Sequence, residues 1–400
     1  MNEKLNLIAE KYHDEIVKTA SELIQINSQS TQEKEVAEYT IKKMQELGYD
    51  EVVVDKYGSV YGVMKGTGGG SSVTLNCHLD VVYGSEPEKW KYPPYSGAIA
   101  EGKVWGRGAS DTKGTFAVQL YIPKMLKEIG MLPKGDIIVS GVVSEEIAGF
   151  GAMMQTRDNF MLTDYVVIGE ATENDIAISC RGRFACVVTI KGKSCHASIP
   201  HEGKNPFDVL GPFLCELKNL ELGYDPINGS STMSPTNISS SEKGSNIIPN
   251  EITLYIDYRQ IPSDTTDIVV EKIKKVAEKC VVDGITIDVE PYYFPLTTYT
   301  GVEGKGYQGE YPFGVSADED YIVFAKQTIE EATGREIKTK AWAFATDTGH
   351  YAAKGCKCLG YSPAEIKYCH TTEDNIDIEM MKESEVGYMA LAYGLANRDK

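Results

Sequence analysis

The chain has 400 residues and a formal net charge of −18, from 40 Lys and Arg against 58 Asp and Glu. That length exceeds one ordinary hydrophobic core, so two domains are expected. The charge excludes general affinity for nucleic acid or an anionic membrane, but a local site can still oppose the global field and take a small substrate.

No apolar run is long enough to span a bilayer. The first residues carry no apolar signal core. The nine cysteines are scattered without a framework, which fits a reducing cytoplasm. Cys356 and Cys358 lie close together, but no second pair completes a zinc knuckle.

In chain order, the apolar period of residues 4–26 predicts a helix. Ser30 to Glu33 has the capping-box pattern and starts a second helix, which Gly48 ends. Two β-rich runs follow at 51–54 and 60–64. The glycine-rich turn at 66–72 leads into no helix, so it is not read as a phosphate cradle. Three short apolar runs come next. The run at 73–77 is followed by His78-Leu79-Asp80, the run at 137–143 by Ser144-Glu145-Glu146, and the run at 165–168 by Gly169-Glu170. Continuous β-branched runs separated by helices predict buried parallel strands. Open α/β sheets carry their sites at the carboxyl ends of such strands. Asp111 lies in a tight connection, Gly-Arg-Gly-Ala-Ser-Asp-Thr-Lys-Gly at 106–114, just before a predicted helix that contains Pro123.

The pattern changes after Arg181. Strands are predicted at 184–190, 231–239, 252–258 and 285–289, with helices at 206–220 and 267–280. This β-α-β-β-α-β order fits a ferredoxin-like unit. The expected architecture is α/β: a mixed, mostly parallel sheet flanked by helices (residues 1–180 and 294–400), with an inserted ferredoxin-like α+β domain (residues 181–293). After the insertion come a helix at 318–333, a short strand at 358–361 and a final helix at 376–395, with His370 on the loop before it.

His78, Asp111, Glu146, Glu170 and His370 are hard and borderline ligands suited to Zn²⁺ and tolerable for Mn²⁺ or Co²⁺. A bridging carboxylate with one His and one acidic ligand per ion would build a site with two ions ~3.5–4 Å apart. Asp80 can hold the other ring nitrogen of His78. Glu145, beside Glu146, can take a proton from water. Singly, each of these residues reads as surface or packing; five of them at the ends and loops of one sheet do not. His13 reads as surface or packing and His201 as structural; His350, near Thr346-Asp347-Thr348-Gly349, reads as structural in preference to the alternative that it approaches the substrate.

These motifs, in this order, resemble the co-catalytic zinc amidohydrolase and exopeptidase family, which includes acetylornithine deacetylase, succinyl-diaminopimelate desuccinylase, aminoacylases and glutamate carboxypeptidase. The resemblance covers nearly the whole chain. It implies that His78 and Glu170 bind one metal, that Glu146 and His370 bind the other, and that Asp111 bridges them. It further implies that Glu145 is the general base, that Asp80 orients His78, and that the Asp111–Thr112 peptide is cis. Gly192-Lys-Ser-Cys-His196-Ala-Ser resembles the family's lid histidine, which polarises the substrate carbonyl, often from a partner subunit. Asn246 and Arg259 resemble its substrate-binding residues. A homodimer through the inserted lid/dimerisation domain is implied as well. Segments 291–301, 341–349 and 360–363 are similar to the selenium metabolism-linked hydrolases, whereas Asn246-Ile-Ile-Pro is closer to the deacetylases and desuccinylases.

The expected activity is therefore hydrolysis of an amide in an N-acyl amino acid or small peptide. Alternatives are a dipeptidase or carboxypeptidase of the same family, and a non-catalytic binding protein on the same fold. A two-metal phosphoesterase would want several cations converging on the phosphoryl group; near the motifs there are only Arg107, Lys113 and, from the insertion, Arg181, Arg183 and Arg259.

Overall fold

The computed structural model describes residues 2–147, 149–307 and 309–399. A nine-stranded sheet runs in the order Glu51–Val54, Val60–Met64, Ile137–Val142, Val73–His78, Tyr165–Ile168, Lys357–Gly360, Ile176–Cys180, Phe313–Gly314, and Thr339–Trp342 also pairs with Ile176–Cys180. Parallel pairing is concentrated at the centre, where Val73–His78 lies between Ile137–Val142 and Tyr165–Ile168. The hairpin-linked margin, Glu51–Val54 with Val60–Met64, is antiparallel. Every residue of the three central strands is buried, as expected for β-branched runs covered by helices on both faces. Helices Asn2–Gln25, Gly114–Glu128, Asp320–Thr333 and Ile378–Ala396 pack against one another and share the main core with these strands.

A second sheet is antiparallel throughout, in the order Thr232–Ser240, Glu251–Gln260, Gly182–Lys191, Thr286–Pro291. Helices Phe207–Leu217 and Thr266–Cys280 share a separate core with it. Burial alternates strictly along Glu251–Gln260. Ile252, Leu254, Ile256 and Tyr258 therefore face the core, and Asp257 and Arg259 face the other way. The chain returns to this sheet after residue 293: Gly309–Glu310 pairs with Phe184 and Arg183, continuing the line of Thr286–Pro291.

One local expectation is overturned. Helix Lys34–Glu46 begins with no side-chain cap. The Ser30 hydroxyl donates instead to Asp80 Oδ2 at 2.7 Å, and Glu33 Oε1 accepts from Ser144. Both side chains of the predicted capping box are drawn inward by partners far away in sequence. Among the described residues, no helix is long and apolar enough to cross a membrane.

Candidate metal centre

The three central strands run parallel, so their carboxyl ends lie at one edge of the sheet. His78 ends the middle strand, Glu145 and Glu146 follow one neighbour, and Glu170 follows the other. Asp111 arrives from the loop before helix Gly114–Glu128. That loop is fastened by buried Asp374, whose carboxylate accepts from Gly108 N (2.8 Å), Ser110 N (2.9 Å) and Arg107 Nη1 (3.0 Å). The Ser110 hydroxyl adds a bond to Asn375 O at 2.6 Å. Gly106 and Gly108 have φ of 140° and 87°, and a Cβ on either would come within 2.5 Å of Ile24 or 2.6 Å of Val81. The Asp111–Thr112 peptide is cis, as the resemblance implies.

The carboxylate of Asp111 lies between two imidazoles. Oδ1 is 2.8 Å from His78 Nε2 and Oδ2 is 3.0 Å from His370 Nε2. Glu170 Oε1 is 3.5 Å from His78 Nε2, and Glu146 Oε2 is 3.1 Å from His370 Nε2. Ligand-type atoms of His78, Asp111 and Glu146 lie within 4.8 Å of one another, as do those of His78, Glu145 and Glu170. The other ring nitrogen of His78 is 2.9 Å from the carbonyl oxygen of Asp80 and 3.5 Å from its carboxylate. That carboxylate also accepts from the backbone of Glu145 (3.0 Å) and Glu146 (3.1 Å).

The electrostatics follow from this crowding. Burial pushes Glu145 well above the usual carboxylate range and Glu146 up to about 7; nearby Asp111 adds to the rise of Glu146. Burial and Asp111 raise Glu170 as well. Burial acts the same way on Asp111, but donation from His370 and His78 outweighs it and holds the group below its ordinary range. Hydrogen bonds to Asp111 and Glu146 raise His370 to about 10. Burial opposes protonation of His78, yet Asp111, Asp80 and Glu170 carry it well above its usual value. The carboxylates thus favour positive charge at both ring nitrogens, and protons are one source of it. A divalent cation would supply that positive charge and displace those protons, so the donor set fits a metal.

The residues predicted in the inserted segment bond among themselves. His196 is exposed, and its Nδ1 is 2.8 Å from Ser198 Oγ. The strand pair Cys195–His196 and Ile247–Ile248 brings Asn246 beside it, and Asn246 O accepts from Ala197 N at 2.9 Å. Arg259 Nε donates to Asp257 Oδ1 at 2.7 Å. Among the described residues, no hydrogen bond or ion pair joins His196, Asn246 or Arg259 to the cluster around Asp111.

Sequence reasoning missed Asp374 and Glu33, whose partners lie far along the chain, and also two acidic neighbours, Glu310 and Asp347. Burial raises Glu310 to about 7 against the pull of Arg183, and it carries Asp347 well above its ordinary range. His350, read as structural, is buried against the Tyr311 ring, and burial depresses it to about 4.

Two imidazoles, buried His78 and exposed His370, meeting buried carboxylates at the carboxyl edge of an α/β sheet define a metal-dependent hydrolytic class. Residues 74–393 match peptidase family M20/M25/M40, and the chain belongs to that family. An uncharacterized protein of Escherichia coli (strain K12), YgeY, is 26% identical over 383 residues, covering 93% of each chain. A probable succinyl-diaminopimelate desuccinylase of Staphylococcus epidermidis is 25% identical over 311 residues, 70% of this chain and 76% of that one. The fold is shared with the YXEP protein of Bacillus subtilis, a dinuclear metal binding peptidase of the M20 family, at TM-score 0.70 and 15% identity over 96% of this chain and 98% of that one.

The Asp374 fastening generates a prediction. Asp374→Ala strands the buried Arg107 guanidinium and two loop amides, so stability in urea unfolding should fall by about 3–5 kcal/mol. A loss below about 1 kcal/mol would mean that the loop holds itself.

Proposed function

We propose that this protein hydrolyses the amide bond of an N-acyl amino acid or small peptide, using two divalent metal ions and a glutamate base. The observation that carries this reading is Asp111, whose two oxygens each face a different imidazole. His78 and Glu170 would hold one ion, Glu146 and His370 the other, and Asp111 both. Zn²⁺ suits this donor set best, and Co²⁺ or Mn²⁺ would also be accepted. When bound, such a pair polarises a carbonyl and acidifies water toward neutral pH.

The chain's own groups do the rest. Asp80 holds Nδ1 of His78 and leaves Nε2 aimed at the bridge. Glu145 accepts a proton on its carboxylate from the attacking water and returns it to the departing nitrogen as the C–N bond breaks. Its burial supports this role, because a proton-shuttling carboxylate works best near the operating pH. Arg259, fixed by Asp257, and Asn246 would bind the substrate, the guanidinium as a fork for a carboxylate. His196 would stabilise the developing oxyanion in the site of a second copy; its exposure, with its ring bonded to Ser198 and not to the cluster, supports that assignment. The second copy would dock through residues 181–293, an inserted domain carried by 1–180 and 294–400. The long exposed edge strand Thr232–Ser240 supports this. Nine cysteines without a disulfide fit a cytoplasmic location. The relative named a desuccinylase favours N-acyl substrates; peptide cleavage by the same machinery is the second reading.

Elemental analysis of purified protein should find about two divalent ions per chain. A panel of N-acetyl, N-succinyl and N-formyl amino acids and dipeptides should yield a substrate whose turnover stops on chelation and returns with Zn²⁺. A chain that takes up no metal even from added Zn²⁺ would remove this function. Glu145→Ala should lower kcat by about 10²–10⁴ with metal content unchanged; full activity in that variant would take Glu145 out of the reaction. His196→Ala should lower kcat by about 10²–10³. Mixed with Glu145→Ala protein, it should regain turnover, since one site of the mixed dimer then has both groups; no recovery would place His196 in its own chain's site or outside the chemistry.

A further inference from the structure

We infer that Glu33 positions the Glu145–Glu146 pair: its buried carboxylate, acting through Ser144, sets the direction in which both glutamates leave strand Ile137–Val142. The inference rests on the metal-hydrolase reading above. Glu33 has no exposed surface, and the hydrogen bonds its carboxylate accepts come from Thr31 and Ser144, not from a proposed ligand. Its Oε1 accepts from Ser144 N (2.9 Å), Ser144 Oγ (2.8 Å) and Thr31 N (2.9 Å). The next two amides, of Glu145 and Glu146, end on Asp80. Three successive N–H groups are thus held by two carboxylates rooted elsewhere in the chain.

The fastening matters because of the backbone it holds. Ser144 has φ of 56°, a left-handed conformation that a serine keeps only where its surroundings enforce it. In an extended strand, Glu145 and Glu146 would point to opposite faces of the sheet. With the chain turned at Ser144, both reach the same cleft: Glu145 groups with His78 and Glu170, and Glu146 meets His370. Glu33 sits at the start of helix Lys34–Glu46, where the helix dipole favours an anion, yet its side chain does not cap that helix. The carboxylate serves the loop across the sheet.

The test is a Co²⁺ titration of metal-free wild type, Glu33→Gln and Glu33→Ala, followed by absorption, with kcat and KM measured on the best panel substrate. Gln keeps an oxygen for all three donors and should match wild type. Glu33→Ala should weaken one of the two Co²⁺ sites by about tenfold or more and lower kcat by a similar factor, with KM within about twofold. A folded Glu33→Ala that binds Co²⁺ and turns over like wild type overturns the inference, and so does a Gln variant impaired as much as Ala. If Glu33→Ala does not fold, Ser144→Ala, which removes one of the two Ser144 bonds, should give a smaller shift in the same Co²⁺ site; no shift overturns the inference. Wild type that takes up no Co²⁺ overturns the metal reading and this inference with it. Wild type that takes up two ions beside an unaffected variant overturns this inference alone.

Discussion

Crowded negative charge is the constraint on which the rest of the structure depends. Asp111, Glu145, Glu146 and Glu170 converge on one edge of the sheet with little access to water. Buried like charges repel, and each loses hydration, so such a group takes up protons or gathers positive charge around it. Two imidazoles supply it in the chain alone, which is why they are carried upward while Asp111, which accepts from both, is held down. Asp347 and Glu310 stand in the same electrostatic neighbourhood and are raised in turn. A centre of this kind cannot be assembled from freely moving side chains. The backbone at Glu145 and Glu146 and on the approach to Asp111 is held in place.

The fixing is done by a second rank of buried carboxylates that accept backbone N–H groups. Asp374 takes two loop amides and the Arg107 guanidinium, and so fastens the approach to Asp111. Asp80 takes the amides of Glu145 and Glu146 while its carbonyl faces His78. Glu33 takes the amide before those two. Asp55 closes another turn in the same way, accepting from Tyr57, Gly58 and Ser59. A carboxylate can satisfy several N–H donors at once, and hydrogen bonds to an ionised acceptor are the strong ones. Part of the acidic excess of this chain therefore works as internal fastening and is not a solvated coat.

This division explains what the sequence discloses. Helices and strands with strong periodicity were legible, including the β-α-β-β-α-β order of the second sheet, because each is decided by local spacing. So were His78, Asp111, Glu146, Glu170 and His370, which stand beside strand ends or on loops with recognisable neighbours. The fasteners were not legible. Glu33 meets a residue 111 positions away and Asp374 one 266 away, and nothing in their local sequence announces the partner. Ser30 and Glu33 show how a local rule fails. The same Ser-x-x-Glu spacing can cap a helix or reach inward, and the choice is made by Asp80 and Ser144, which no window around residue 33 contains.

The second sheet is constrained differently. Arg183 lies directly opposite both Arg259 and Glu310 across the ladder, so these side chains share the face turned away from that sheet's own core. Asp257 binds Arg183 at 3.1 Å and Arg259 at 2.7 Å, tying two guanidiniums to one carboxylate. His196 and Asn246 are likewise joined, by a short ladder and a backbone bond from Ala197 to Asn246. Neither pair is fastened to the residues around Asp111. The cluster is thus built from the ends of the first sheet's strands and the loops beside them, and the groups proposed to hold substrate are organised as pairs outside it. Glu310 is the link between the two: it pairs with Arg183 in the second sheet, and its charge acts on Glu145 and Asp347 beside the first.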